Sequence, residues 1–141
     1  MKNSYFLDSS YAIALVVTKD QYHQKAIDLS FRIEEEKAKL VTTRPVLLEI
    51  GNSLSRKAVR GSGLQLLRRV SDDSNISIVE LTVELYESAL SLFAERPDKE
   101  WGIDSVSFVV MRERGIEAAL TTDNHFIQAG FRALLREDFS I

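Results

Sequence analysis

Short apolar runs alternate along this chain with longer stretches in which apolar residues recur at helical spacing. The runs predict strands at residues 5–7, 39–43, 76–81, 118–122 and 131–135. The periodic stretches predict helices at residues 10–17, 22–37, 45–59, 64–70, 82–94, 102–114 and 124–128. The sequence "RGSG" at residues 60–63 is typical of a turn, and it predicts a break between the third and fourth helices.

Strands that are separated by helices pair in parallel, through right-handed crossovers that place helices on both faces of the sheet. The chain therefore belongs to the α/β class, and we expect a central parallel sheet between two helical layers. In such sheets, ligands bind beyond the carboxyl ends of the strands. Polar residues at those ends are the first candidates for a functional site.

Composition narrows the functional classes. The chain has 141 residues and 45% hydrophobic residues, which predicts a single domain over residues 1–141. It has no cysteine and only two histidines, so disulfides and thiolate chemistry are excluded and a histidine-rich metal site is disfavoured. The net charge of −3 argues against a strongly cationic surface but leaves room for a local basic groove. The N-terminal apolar stretch is interrupted by Asp8, so we expect no secretory signal, no membrane span and a cytoplasmic location.

Four acidic residues occupy positions where a carboxylate has to be explained. Asp8 and Asp123 each follow a predicted strand, although both positions also suit a helix N-cap. Asp104 heads an apolar row on its helix, and its alternative role is to stabilise the first helical turn. Glu49 lies at the edge of an apolar helix face, where a solvated side chain is the alternative.

The four acids share one geometry if the sheet is parallel. Asp8 and Asp123 follow predicted strands, and Asp104 and Glu49 are predicted in the first turns of helices that follow loops, so all four are expected at one rim of the sheet. Carboxylates gathered in this way repel one another, and their pKa values rise. A hard divalent cation relieves the repulsion, because Mg²⁺ and Mn²⁺ are held by a few oxygen ligands. The sequence therefore predicts a metal site at this rim.

The motifs around these acids resemble those of the PIN domain family, and in particular of VapC-type toxins. The resemblance covers nearly the whole chain through the segments "FLDSSYAIAL", "LLEIGNSL", "DKEWGIDSVSFVVMRERGI" and "ALTTDNHFIQAGF". It implies a three-layer α/β/α sandwich that works as a Mg²⁺- or Mn²⁺-dependent endoribonuclease. By motif match, the acidic quartet is Asp8, Glu49, Asp104 and Asp123. Ser10 matches the hydroxyl residue that supports the first aspartate, whereas Ile103 replaces a frequent threonine or serine.

The resemblance also implies a reaction and partners. An activated water attacks phosphorus and expels the ribose 3′ oxygen, with one ion or with two ions roughly 3.5–4 Å apart. The expected partners are an RNA substrate, a cognate antitoxin and a second copy of the chain. The densest group of cations is expected to contact RNA phosphates, with plain surface charge as the alternative. We call this group the basic cluster, and it comprises Arg56, Lys57, Arg60, Arg68 and Arg69.

Two rival functions use the same residues differently. A Mg²⁺-dependent phosphatase-type α/β domain would also gather aspartates, but the haloacid-dehalogenase type requires D-x-D where this chain has Ser10. A PIN-like domain without catalysis would bind RNA or dock a protein, and loss of an acid would favour it. For His125 we expect a structural role, because a metal-activated water needs no separate general base.

Overall fold

A five-stranded parallel sheet forms the centre of the protein in the computed structural model, which describes residues 3–96 and 102–138. The strand order is β3-β2-β1-β4-β5, and every neighbouring pair is parallel. The strands are β1 (Ser4–Leu7), β2 (Lys39–Thr43), β3 (Ile76–Val79), β4 (Ala118–Leu120) and β5 (Arg132–Ala133). The predicted parallel sheet is thus confirmed. The expectation of one domain over residues 1–141 also extends outside these ranges and stays a prediction.

Helices connect the strands and contact one another in two groups. They are α1 (Ser9–Val16), α2 (His23–Glu36), α3 (Arg44–Ser53), α4 (Arg60–Asp72), α5 (Val83–Glu95), α6 (Ile103–Arg114) and α7 (Asn124–Gln128). Helices α1 to α4 form one group of contacts, and α6 contacts both α5 and α7 in the other. The sheet flanked by helices confirms the predicted α/β/α sandwich. None of the helices in the described ranges is long and apolar enough to cross a membrane.

Local sequence explains two helix starts and one helix end. The Thr43 hydroxyl accepts a hydrogen bond from the Val46 amide at 3.2 Å, which caps α3 directly behind β2. The Thr82 hydroxyl caps α5 in the same way, through the Leu85 amide at 3.1 Å. Helix α6 ends at Gly115, whose φ of 66° lies in the left-handed region that glycine adopts without strain.

An aromatic group fills the core beneath the carboxyl ends of β1 and β4. The rings of Phe6 and Phe126 lie 6.3 Å apart, and both residues are fully buried. Phe108 meets Phe126 edge-on at 5.0 Å, and it lies 5.7 Å from Phe131. Burying each ring contributes roughly 1.5–3 kcal/mol, so this packing fixes α6 and α7 relative to the sheet.

The boundary between α3 and α4 differs from the prediction. The third helix ends at Ser53 and not at residue 59, and "RGSG" forms the first turn of α4. The reason is a close approach between the helices, because a Cβ atom on Gly63 would lie 2.7 Å from the Cβ of Leu54. Leu54 is only 2% exposed. Gly63 therefore serves helix packing and does not mark a turn.

The last predicted strand is also shorter than expected. Strand β5 covers only Arg132 and Ala133, and a 3₁₀ turn follows at Leu134–Arg136. Leu134 and Leu135 are buried, so the apolar run reflects core packing rather than a longer strand. The amide of Leu135 donates to the Thr121 carbonyl at 3.3 Å, which ties this turn to the end of β4.

Candidate metal centre

The adjacent strands β1 and β4 bring the first and last acids of the chain together. Leu7 lies opposite Leu120 in the parallel register, and the Asp8 amide donates to the Leu120 carbonyl at 3.3 Å. Asp8 and Asp123 therefore emerge from neighbouring strand ends, at one rim of the sheet as the sequence predicted. The strands themselves end at Leu7 and Leu120, directly before the polar residues of the site.

All four predicted acids line one open cavity of about 640 Å³ at this rim, which we call the acidic cavity. Its walls are Asp8, Ser9, Ser10, Glu49, Gly102, Ile103, Asp104, Thr122, Asp123 and His125. The gathering of these carboxylates confirms the placement that the sequence predicted. What each carboxylate does there remains a matter for proposal.

Asp8 is held by hydroxyl groups in the floor of the acidic cavity. Only 3% of it is exposed, and its Oδ2 accepts hydrogen bonds from Thr121 Oγ1 at 2.7 Å and Ser10 Oγ at 3.2 Å. The Thr121 hydroxyl also accepts a hydrogen bond from the Asp123 amide at 3.0 Å, and the Ser10 hydroxyl accepts one from the Thr122 amide at 2.9 Å. Asp8 occupies the N-cap position of α1, but its side chain makes no capping hydrogen bond, so capping does not explain the buried carboxylate. The Ser10 contact agrees with the supporting role that the motif implied.

Burial dominates the electrostatics of Asp8. The pKa of its carboxyl is raised from 3.8 to about 6, mainly by loss of water and also by the nearby charges of Glu49 and Asp123. Hydrogen bonds from Thr121 and the Ser9 backbone oppose this rise. A bound cation would stabilise the ionised form of this carboxyl, which burial and the nearby like charges disfavour.

Asp104 lies in the first turn of α6, as predicted, and 23% of its side chain is exposed. The pKa of the Asp104 carboxyl is raised to about 8, mainly by burial and also by a hydrogen bond with the Asp123 carboxyl and by nearby negative charges. That hydrogen bond requires a proton on one of the two groups. A cation bound by both carboxylates would remove the need for that proton.

Asp123 has two roles in the structure. Its Oδ1 accepts the His125 amide at 2.8 Å, so it caps the short helix α7 as the alternative interpretation proposed. It also faces the acidic cavity beside Asp104. The imidazole Nδ1 of His125 lies 3.0 Å from Asp123 Oδ1 and 3.3 Å from Asp104 Oδ2. Asp104, Asp123 and His125 can each offer one ligand atom, and these atoms lie within 4.8 Å of one another.

Glu49 reaches the acidic cavity from α3, where it is partly buried. Because α3 starts at Arg44, Glu49 lies in the second helical turn, and its assignment to a first turn was wrong. Its charge raises the pKa values of Asp8 and Asp104, so it acts on the same centre.

The donor set fits a hard divalent cation. Carboxylates from four separate segments face one open cavity, and the pKa values of two of them, Asp8 and Asp104, are raised. Mg²⁺ and Mn²⁺ prefer such oxygen ligands, together with water. The residues do not discriminate between these two ions.

The basic cluster does not line the acidic cavity. Its residues are exposed on the α3–α4 connection and on α4, where Arg60 donates to the Ser55 carbonyl at 3.2 Å. Sequence reasoning also missed Thr121, which is fully buried and bonds to Asp8 across 113 positions of the chain. The threonine pair directly after the apolar run of β4 was the available signal.

Comparison with known proteins agrees with this architecture. The family model of the PIN domain matches residues 5–132. The chain is similar to the 23S rRNA-specific endonuclease VapC20 of Mycobacterium tuberculosis, in strains CDC 1551 and H37Rv, with 29% identity over 133 residues, 89% of this chain and 94% of the relative. It is also similar to the crystal structure of Mycobacterium tuberculosis VapC20, a sarcin–ricin loop cleaving toxin, with a TM-score of 0.77, 26% identity and coverage of 90% and 95%. The family match includes all four acids of the cavity, and the chain belongs to the PIN domain family.

Proposed function

We propose that this protein is a metal-dependent endoribonuclease that hydrolyses RNA phosphodiester bonds at the acidic cavity. The observation that carries the proposal is the meeting of Asp8, Glu49, Asp104 and Asp123 on one cavity of a PIN-family chain. Mg²⁺ or Mn²⁺ is the proposed cofactor. When bound, the ion supplies Lewis acidity toward a phosphodiester oxygen and activation of a water molecule.

The chain's own residues prepare this centre. Asp8 is fixed by the hydroxyls of Thr121 and Ser10, so its carboxylate needs no rearrangement to bind a cation. Asp104 and Asp123 supply the next ligands, and Glu49 binds the ion or orients a water molecule.

His125 is proposed as a positioning residue. Its ring nitrogen lies within 3.3 Å of both Asp104 and Asp123. In this position it restrains the orientation of the two carboxylates.

The relatives suggest the kind of substrate and the biological setting. VapC20 is named a 23S rRNA-specific endonuclease and a sarcin–ricin loop cleaving toxin. We propose that this chain likewise cleaves RNA in single-stranded or loop regions and acts as the toxin of a toxin–antitoxin pair. A cognate antitoxin, a homodimeric state and a cytoplasmic location belong to the same proposal.

A cleavage assay tests the enzymatic part. The purified chain is incubated with hairpin and unstructured RNAs in Mg²⁺, in Mn²⁺ and in EDTA, and products are resolved on denaturing gels. We expect cleavage with either ion and none in EDTA. Asp104→Asn should lower the rate by on the order of 100-fold or more, because it removes a ligand charge while preserving side-chain size. Glu87→Gln, an exposed change on α5, is the matched control. Undiminished cleavage in EDTA would refute the metal mechanism.

The toxin assignment needs a separate test in cells. Expression of the wild type should slow growth, expression of Asp104→Asn should not, and co-expression of a small protein encoded beside it should relieve the effect. Harmless expression of an enzyme that is active in vitro would assign the chain to another ribonuclease role.

A further inference from the structure

One arginine is attached to the wall of the acidic cavity by a hydrogen bond. Arg136 closes the 3₁₀ turn after β5, and its Nη1 donates to the Thr122 carbonyl at 3.2 Å. Thr122 lines the acidic cavity and directly precedes Asp123. The turn itself is anchored to the end of β4 through the Leu135 amide and the Thr121 carbonyl. The guanidinium is therefore held near the acidic cavity by its own hydrogen bond to Thr122 and by the backbone hydrogen bond of the preceding residue.

The charge of Arg136 is not neutralised by a carboxylate in the described ranges. Arg132, in the same segment, forms a bidentate salt bridge with Glu137, in which Nη2 and Nε donate to the two carboxylate oxygens at 2.6 and 3.0 Å. Arg44 is engaged by Glu80 in the same manner, also at 2.6 and 3.0 Å. No such ion pair to Arg136 occurs among residues 3–96 and 102–138. A guanidinium has five N–H donors, so most of those on Arg136 remain available to a ligand.

The carboxylates of the acidic cavity repel the RNA phosphates that a metal ion does not neutralise. The phosphates that flank the cleaved bond are anions, and they must lie beside the same four carboxylates. The basic cluster does not line this cavity, so it does not offset their repulsion there. Arg136 does not line the cavity either, but its guanidinium is hydrogen-bonded to Thr122, which does. The planar fork of arginine also matches phosphate oxygens.

We propose that Arg136 binds a backbone phosphate of the RNA next to the acidic cavity and so positions the RNA strand for cleavage. This inference rests on the proposed function and specifies how the same site holds its substrate. Phosphate contacts fix register and carry no base preference. The effect of Arg136 should therefore be the same for RNAs of different sequence.

Neutralising Arg136 tests the proposal. Arg136→Gln keeps a donor for the Thr122 carbonyl but loses the charge, so it separates phosphate binding from loop anchoring. We expect KM to rise roughly tenfold with kcat little changed, since one charge-assisted contact is lost. The slope of log(kcat/KM) against log(salt concentration), measured between roughly 50 and 200 mM, should become shallower by about one. Arg136→Lys should restore most of the slope.

The matched control is Arg132→Gln. Arg132 is an exposed arginine of the same segment, but its charge is already paired with Glu137, and it opposes Ala118 at the other end of β4. Its removal should leave both KM and the salt slope unchanged. A second readout avoids cleavage altogether: anisotropy of a labelled RNA bound to Asp104→Asn, with and without Arg136→Gln, in Mg²⁺.

The outcomes separate the two proposals. A wild type that neither cleaves nor binds RNA with divalent ions refutes the proposed function. If the wild type cleaves but Arg136→Gln retains its KM, RNA affinity and salt slope, only the Arg136 assignment fails. The assignment also fails if Arg136→Lys behaves like Arg136→Gln, or if both merely lower the melting temperature, because those results indicate a structural tether.

Discussion

Replacing Asp8 with asparagine should stabilise the metal-free protein at neutral pH while removing its activity. Asp8 is almost completely buried, and burial with nearby acids raises its pKa from 3.8 to about 6. Each pKa unit corresponds to about 1.4 kcal/mol, so the ionised carboxylate costs about 3 kcal/mol of folding stability. Asparagine has nearly the same shape but no charge, and it still offers an oxygen to the Thr121 hydroxyl.

The sign of the effect follows from the direction of the shift. A folded-state pKa above the unfolded value means that stability is lost as pH rises through the unfolded value near 3.8, and the loss is complete above about 6. The raised pKa already includes the charge-assisted hydrogen bond from Thr121, which favours the ionised carboxylate. At pH 7.5 the gain for Asp8→Asn should therefore be about 3 kcal/mol. Near pH 4 it should fall to about zero or below.

Chemical denaturation followed by circular dichroism in EDTA measures this difference directly. Wild type and Asp8→Asn are compared from pH 4 to pH 7.5, with Glu87→Gln as an exposed carboxylate control expected to change stability by less than about 0.5 kcal/mol. Added Mg²⁺ should favour the wild type, which binds the ion better. If Asp8→Asn is less stable than the wild type at pH 7.5 in EDTA by the same amount as at pH 4, the electrostatic reasoning is wrong.

Two further changes probe the acidic cavity and the helix packing. Glu49→Gln should stabilise the metal-free protein by about 1 kcal/mol at neutral pH, because the charge of Glu49 raises the pKa of Asp8. A melting temperature below that of the wild type in EDTA would instead show that Glu49 is a paired structural residue. Gly63→Ala should destabilise by about 1–3 kcal/mol in urea denaturation, because its Cβ would lie 2.7 Å from the Cβ of Leu54. Gly61→Ala, with nothing within 4 Å, should be neutral or stabilising, and equal effects at the two glycines would contradict the close approach.

Local patterns in the sequence determined the class of fold and the outline of the site. Alternating strands and helices require a parallel sheet, and the strand-end rule then places Asp8 and Asp123 at one rim. The helical spacing after Asp104 predicted an apolar row on its helix, and Phe108 and Met111 in that row are buried. These conclusions hold because periodicity and chain order are properties of short segments and of their succession.

Tertiary structure decided the features that depend on approach between distant segments. Thr121 supports Asp8 only because β1 and β4 are neighbours, and Arg136 reaches Thr122 only because the turn after β5 packs on β4. Gly63 has the local signature of a turn, yet contact with Leu54 makes it part of a helix. Packing and hydrogen bonding between segments outweigh the small intrinsic preferences of single residues. Those contacts arise only once the chain has folded, so the sequence pattern alone could not predict them.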